Sequence, residues 1–473
     1  MNAHALLIDF GSTYTKLRAV DLDRSHIVGS GQGPSTVTTD VRIGLRAALA
    51  DLERRIDGLP DFKHRLASSS AAGGLRMVTV GLVKELTAEA ARRAALGAGA
   101  KLVGTYAYRL TKSDVAAIVG VIPDILLLCG GTDGGNSEVI LANAEALGAS
   151  TLGCPIVVAG NRNATDDVAD LLSRSGKTAI KAGNVMPEFG TLDIEPARAA
   201  IRHVFMDRIV HAKGIDQASG MFDRVLMPTP AAVLEGARLL SQGTKNRRGL
   251  GELLVVDIGG ATTDVHSICK GDPARPEMVL YGLPEPFAKR TVEGDLGMRH
   301  NARTIVETCG ADAIALDAGV AENEVEALLA PILADVERLP VNEREIAFDR
   351  ALARAAIKLA VRRHAGTVET VYTATGPVVM QRGKDLSRVE TLIGTGGPVV
   401  HAPDPAAILS AALADPAEPA SLRPQAPRLL LDNEYLLYAV GLLAEAEPEA
   451  ALALGLNHMR DCAERVDGHF SAA

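Results

Sequence analysis

Near the start of the chain, residue types suited to holding a polyphosphate fall close together in Asp9-Phe10-Gly11-Ser12-Thr13-Tyr14-Thr15-Lys16. Gly11 has no side chain, so phosphate oxygens can approach the backbone. Ser12 and Thr13 add hydroxyl donors, and N–H groups in a tight turn form an anion-binding nest. Lys16 supplies a compact positive charge. Asp9, at the end of an apolar run, can hold waters of a hydrated Mg2+, an ion that keeps most of its shell. The same residues also suit an ordinary hairpin with a polar turn, where Asp, Gly, Ser and Thr are common. A second constellation changes that balance. Val255-Val256-Asp257-Ile258-Gly259-Gly260-Ala261-Thr262-Thr263-Asp264 again sets an Asp at the end of an apolar strand, followed by glycines and hydroxyls. Two such hairpins in one chain can grip phosphates from both sides.

The elements that must position these residues are legible around them. Leu6-Leu7-Ile8, Leu17-Arg18-Ala19-Val20 and His26-Ile27-Val28 are short apolar runs separated by turn residues, the pattern of an antiparallel meander. Val41, Leu45, Leu49, Leu52 and Ile56 share one face of a helix spanning Val41 to Ile56. From about Leu102 to Val204, strands (Asp124–Cys129, Pro155–Ala159, Thr178–Lys181) alternate with helices (Glu138–Leu147, Asp166–Arg174). Such alternation implies a largely parallel sheet with helical crossovers. Leu253-Leu254-Val255-Val256-Asp257-Ile258-Gly259 echoes Leu6-Leu7-Ile8-Asp9-Phe10-Gly11, which predicts two homologous lobes. Helices over Ala321–Val336 and Arg344–His364 follow, then a strand pair at Glu369–Thr375 and Glu390–Ile393. Next come Gly394-Thr395-Gly396-Gly397, a Pro-rich surface connection from Pro403 to Pro427, and helical sequence from Glu434 onward.

Composition limits the function classes. The 473 residues are 47% hydrophobic and 23% charged, as in folded globular proteins. With 49 basic and 58 acidic residues, the net charge of -9 argues against a broad nucleic-acid or acidic-membrane surface. The five cysteines (Cys129, Cys154, Cys269, Cys309, Cys462) form no CxxC pair, which speaks against a local zinc or iron–sulfur motif and suits a reducing cytoplasm. The eleven histidines are dispersed with no HxH or HxxxH pair. No basic-then-apolar leader opens the sequence, and the most apolar stretch, Val115–Cys129, is broken by Pro123 and Asp124. The expectation is a cytoplasmic protein.

At this point the residues resemble the superfamily containing actin, the sugar kinases and the heat-shock chaperone ATPases. Asp9–Lys16 looks like its first phosphate loop, and Val256–Asp264 looks like its second. Met227-Pro228-Thr229-Pro230-Ala231-Ala232-Val233-Leu234-Glu235-Gly236 is similar to its first connecting helix. Leu392-Ile393-Gly394-Thr395-Gly396-Gly397-Pro398-Val399 resembles its adenosine-binding strand and glycine turn. Glu434-Tyr435-Leu436-Leu437-Tyr438-Ala439-Val440-Gly441 resembles the second connecting helix, whose small residues permit close packing. A lone Gly-Thr-Gly-Gly carries little weight, but five segments in the required order carry much. Over nearly the whole chain, Asp9–Lys16, Thr36–Gly44, Ser68–Met77, Cys129–Asn136 and Glu293–Met298 together look like the MutL-type accessory protein of glutamate mutase.

That resemblance implies an α/β fold of two actin-like (ribonuclease H-like) lobes around a central nucleotide cleft. Residues 1–235 would form the first lobe with an α/β elaboration at about 102–204, residues 236–433 the second, and 434–473 connecting helices packing back at the hinge. It implies ATP and Mg2+ as cofactors, with Asp9 and Asp257 as catalytic and metal-holding residues. Gly11, Ser12, Thr13, Lys16, Gly259, Gly260, Thr262, Thr263, Gly394, Thr395, Gly396 and Gly397 would contact nucleotide. It also implies service to an adenosylcobalamin-dependent amino-acid mutase, by analogy with actin-like factors that reactivate cobalamin enzymes by ATP-driven release of damaged cofactor. One departure matters. The superfamily commonly has Glu or Gln before the proline of the first connecting helix, where it positions the attacking water. Here the residue is Met227, and a thioether is a poor substitute. Asp133, in Gly130-Gly131-Thr132-Asp133-Gly134-Gly135-Asn136, is a candidate replacement, although that segment also reads as a strand-to-helix turn. Glu293-Gly294-Asp295-Leu296-Gly297 reads as leading into a helix near the nucleotide, with contact by Asp295 as one option. A metabolic kinase and a filament-forming ATPase of the same fold are the alternative functions.

Overall fold

The computed structural model describes residues 4–11, 14–36, 40–56, 58–69, 75–212, 221–374 and 376–462. The chain divides into two compact units. The first comprises Met1–Leu239, Gly282–Pro286 and Leu437–Asn457, and the second Leu240–Tyr281, Phe287–Leu436 and His458–Ala473.

The first unit opens with β1 (His4–Phe10), β2 (Tyr14–Asp21) and β3 (His26–Pro34), the expected meander, then the helix Val41–Ile56 and β4 (Phe62–Ser69). β1 is apolar because it lies between two neighbours, antiparallel to β2 and parallel to β4. Phe10, Leu6 and Ile8 pack with Leu45, Ala48 and Leu52 of the helix, the face read from its spacing. A second sheet follows: β5 (Leu75–Gly81), β6 (Ala100–Ala107), β7 (Ile125–Leu128), β8 (Ile156–Val158) and β9 (Ala179–Lys181). All its pairings are parallel and its order is β6-β5-β7-β8-β9, a doubly wound arrangement. Met77, Leu127 and Val157 face the helices Glu89–Gly97 and Glu195–Ala212, whereas Val78, Val80, Leu126 and Leu128 face Glu138–Gly148 and Arg162–Arg174. This elaboration therefore begins at Leu75, ahead of the Leu102 from which alternation is readable. The chain then returns through β10 (Arg224–Pro228) to the first sheet, whose order is β10-β4-β1-β2-β3. The helix Thr229–Gln242 follows it.

The second unit repeats this plan. β11 (Leu253–Ile258) and β12 (Thr263–Ile268) form the second hairpin; β13 (Met278–Tyr281) and β14 (Ala288–Glu293) follow. After the helices come β15 (Thr367–Thr373), β16 (Gly376–Arg382), β17 (Thr391–Thr395), β18 (Arg428–Leu431) and β19 (Arg460–Asp461). The main sheet runs β14-β12-β11-β17-β18-β19. Stripped of β19, that is the first sheet's order with the same directions: β11 antiparallel to β12, β12 to β14, and β17 parallel to both β11 and β18. The core is built on the helix Glu343–His364, with Phe348, Leu352 and Ile357 against Leu254, Val256 and Ile258. Asn342 caps that helix by accepting from the N–H groups of Arg344 and Glu345, and Arg362 and Arg363 end it.

Two expectations need correction. Residues from Glu390 do not pair with the preceding strand. β15 instead folds back on β16 across a turn ending at Gly376, which has φ +123°, and β17 joins the main sheet. Nor does helix begin at Glu434. Asp432 Oδ1 accepts from the Leu436 N–H at 2.8 Å, Tyr435 has φ +55°, and the helix starts at Leu437. That helix packs closely on Thr229–Gln242 within the first unit. A Cβ on Gly236 would lie 2.2 Å from Leu437 O, and one on Gly441 1.9 Å from Ala232 O, so only glycine fits at either position.

Candidate functional site

In the first unit, the carboxyl ends of three adjacent parallel strands, β1, β4 and β10, present polar side chains together. Asp9 is the penultimate residue of β1, opposite Lys16 of β2 and in register with Ser68 of β4. The Gly11 N–H closes the turn on Tyr14 O at 3.0 Å. Ser12 and Thr13 lie outside the described residues. Asp9 is 9% exposed. Its Oδ1 accepts from Thr229 Oγ1 at 2.5 Å and from Ser68 Oγ at 3.2 Å, and the two hydroxyls are 3.2 Å apart. Its Oδ2 faces the turn, 3.8 Å from where a Cβ on Gly11 would sit. Burial holds the Asp9 carboxyl above the ordinary carboxylate range, opposed first by the Thr229 hydrogen bond and then by Lys16. Met227 is buried on β10 beside Ser68.

Asp133 lies elsewhere in this unit, after β7 in the doubly wound sheet. Its Oδ1 accepts from Asn184 Nδ2 at 2.8 Å and from the Arg162 N–H at 3.0 Å, and its own N–H donates to Pro187 O at 2.9 Å. Asn184 Nδ2 also donates to Gly131 O at 3.1 Å. The aspartate thus braces three loops at one sheet edge.

In the second unit, Asp257 occupies the equivalent position in β11, opposite Asp264 of β12 and in register with Thr395 of β17. The Gly259 N–H closes its turn on Thr262 O at 2.9 Å, the bond made by Gly11 in the first hairpin. Thr262 Oγ1 donates to Asp264 Oδ2 at 3.1 Å, and Arg290 pairs with Asp264 at 2.6 Å. The Thr263 hydroxyl is buried and donates to Leu296 O at 2.7 Å, away from the turn. The Gly260 carbonyl accepts the N–H groups of Arg299 and His300, both at 2.9 Å. Asp295 is held by Arg363 at 2.8 Å, which keeps its carboxyl below the usual range. Gly394 lies within β17 with its carbonyl accepting the Asp432 N–H at 2.9 Å, and Thr395 Oγ1 faces Asp432 O at 3.4 Å. Gly396 turns with φ +94° under β11, where a Cβ would meet Ile258 O at 2.1 Å. A Cβ on Gly397 would meet nothing within 4 Å. Asp257, Gly259, Gly260 and Gly394–Gly397 therefore share one edge of one sheet, at strand ends where open α/β sheets bind ligands.

Sequence reasoning missed Ser68 and Thr229. Thr229 follows the apolar run Val225-Leu226-Met227, as Asp9 follows its own, and that was the available signal; Ser68 lies near the end of a strand that opens with Phe62-Lys63-His64-Arg65 and carried no such mark. Among the described residues no cluster of three His, Cys, Asp or Glu could enclose a metal ion. Isolated carboxylates such as Asp9 and Asp257 suit Mg2+ rather than a multi-carboxylate metal, since that ion uses one or two carboxylates and completes its shell with phosphates and water.

Two units sharing one strand order, each with an Asp–Gly hairpin at the same place, define an actin-like α/β protein. The chain belongs to the MutL protein family, whose sequence model matches residues 5–459. Protein MutL of Clostridium tetanomorphum is 47% identical over 452 residues, spanning 95% of this chain and 97% of that protein. Among solved structures, a nucleotide-free acetone carboxylase aligns at 15% identity and TM-score 0.40, covering 94% of this chain and 70% of its own. The xylulose kinase of Bifidobacterium adolescentis aligns at 12% identity and TM-score 0.32, covering 96% and 93%. No helix among the described residues is long and apolar enough to cross a membrane.

Proposed function

We propose that this chain binds Mg2+-ATP through its Asp9 and Asp257 hairpins and serves as a reactivating accessory factor for an adenosylcobalamin-dependent amino-acid mutase such as glutamate mutase. The observation that carries the nucleotide reading is the repeated turn. Gly11 and Gly259 each donate an N–H to the carbonyl three residues on, two positions after an Asp at a parallel strand's end. Lys16 and the backbone of Gly11, Gly259 and Gly260 meet phosphate oxygens, and Gly397, the one glycine of Gly394–Gly397 with open space beside it, leaves room for the adenosine. Asp9 and Asp257 are the residues that hold the hydrated magnesium ion, which offsets charge on the phosphates. The mutase reading rests on 47% identity to Protein MutL across nearly the full length of both chains. Hydrolysis is slow, because buried Met227 offers no group to orient water and Asp133 is engaged in bracing loops.

Calorimetry tests the first part: Asp257→Ala should remove tight Mg2+-ATP binding while the protein stays folded, and unchanged affinity would refute it. Purified protein should turn over ATP well below the median enzyme rate of about 10 per second. For the partner, ATP and ADP must bind the mutase-competent state differently to shift it. By linkage the mutase then alters nucleotide affinity by the same factor, typically ~5–150-fold. A mutase inactivated by turnover should recover with this protein, ATP and fresh adenosylcobalamin, and not with Asp9→Ala. A mutase that stays inactive and forms no nucleotide-dependent complex would remove the role.

A further inference from the structure

We propose that Thr229, assisted by Ser68, is the positioning residue that aims Asp9 at magnesium, a role that rests on the nucleotide reading above. A carboxylate has two oxygens, and here they have different surroundings. Both hydroxyl hydrogens go to Oδ1, from Thr229 at 2.5 Å and Ser68 at 3.2 Å. Oδ2 is directed at the Gly11 turn, where bound phosphates and their metal waters would lie. Fixing one oxygen fixes the other, since the group is planar. Oδ2 is the oxygen on the turn side, and in the proposed arrangement it is the one that takes a metal-bound water.

Thr229 is built for this task. It lies between Pro228 and Pro230, whose rings lock φ, so the backbone carrying the hydroxyl has little freedom. Its β-branched side chain is stiff at χ1. It also stands at the start of the helix Thr229–Gln242, immediately after β10, so its place is set by the sheet edge itself. Ser68 is fully buried on β4 directly beside Asp9, and its longer bond makes it the weaker partner. The pair thus acts through Asp9 and touches neither metal nor nucleotide in the proposed arrangement.

The test compares ATP affinity by calorimetry in Mg2+ and in excess EDTA. A hydrogen bond to a charged group corresponds to roughly tenfold or more in an equilibrium constant. Thr229→Val, which keeps the shape and removes the hydroxyl, should lose about tenfold of the Mg2+-dependent gain while its affinity in EDTA is unchanged. Thr229→Ser should retain the gain. Ser68→Ala should lose a smaller part, and it carries the test if Thr229→Val does not fold. A full Mg2+-dependent gain in folded Thr229→Val, or in Ser68→Ala where the first cannot be purified, overturns the assignment. An equal loss in both buffers also overturns it, since that marks general damage to the pocket. If the wild-type chain binds ATP in neither buffer, the nucleotide reading itself falls.

Discussion

Asp9 and Thr229, 220 positions apart in the chain, meet at 2.5 Å. Burial at this spot raises the Asp9 pKa, and the Thr229 hydrogen bond only partly offsets that rise. Unfolded, the same group titrates near 3.9. Between that value and the raised native one, the folded protein binds more protons, so stability falls as pH rises through the window and stays lower above it. Asp9→Asn removes this penalty. The variant should melt above the wild type at pH 7, with the advantage vanishing below about pH 4, while Mg2+-ATP binding is lost. Melts recorded across this range check the sign.

Gly396 and Gly397 should respond oppositely. Gly396→Ala forces a side chain into Ile258 O at a positive φ and should cost at least about 1–3 kcal/mol. Gly397→Ala meets open space and should leave stability within about 0.5 kcal/mol. If the glycine turn holds adenosine, the latter still weakens nucleotide binding. Denaturant titration and calorimetry on both variants separate fold from function.

His266 offers an acid-side prediction. Burial, then the charge of Arg290, holds its pKa down at about 3. An unfolded histidine titrates near 6.5, so below that pH the unfolded chain takes up a proton that the folded one refuses. Stability should fall as pH drops from about 6.5 toward 3. A folded His266→Leu variant should show a shallower loss over the same interval, measured by urea midpoints.

Asp133→Ala separates bracing from catalysis. Loss of the bonds to Asn184 and Arg162 should cost about 1–3 kcal/mol and leave ATP turnover unchanged. A drop of roughly 10²–10⁴-fold in turnover with modest destabilisation would instead make Asp133 the hydrolytic group.

The hairpins were legible in the sequence because every determinant is local: an apolar strand, its terminal Asp, and a glycine that lets the turn close. Ser68 and Thr229 were not, because their meaning depends on which strands become parallel neighbours. Ser68 is 59 positions from Asp9 and joins it only through β1–β4 pairing. Thr263 shows the converse. Its motif places it with Thr262 in the turn, yet the alternation of a strand turns its hydroxyl inward to Leu296. Asp295 likewise reads as an option for nucleotide contact until Arg363, on a distant helix, takes it. β5 was missed because a single strand before an Ala-rich helix shows little alternation of its own.

The return through β10 bears on how the protein is made. β4 gains its outer neighbour only after the ribosome has released the whole intervening doubly wound sheet, and the first unit is complete only when Leu437–Asn457 arrives. Sequence-distant pairing of this kind is slow, and unpaired strand edges exposed meanwhile invite aggregation. The insertion's strands follow one another with short crossovers, so it can acquire structure first and act as the nascent chain's early folded mass. Asp9 emerges near the beginning of synthesis but must wait for Thr229. A truncated chain ending before β10 therefore carries the first Asp–Gly hairpin without the Thr229 hydroxyl that hydrogen-bonds its carboxylate.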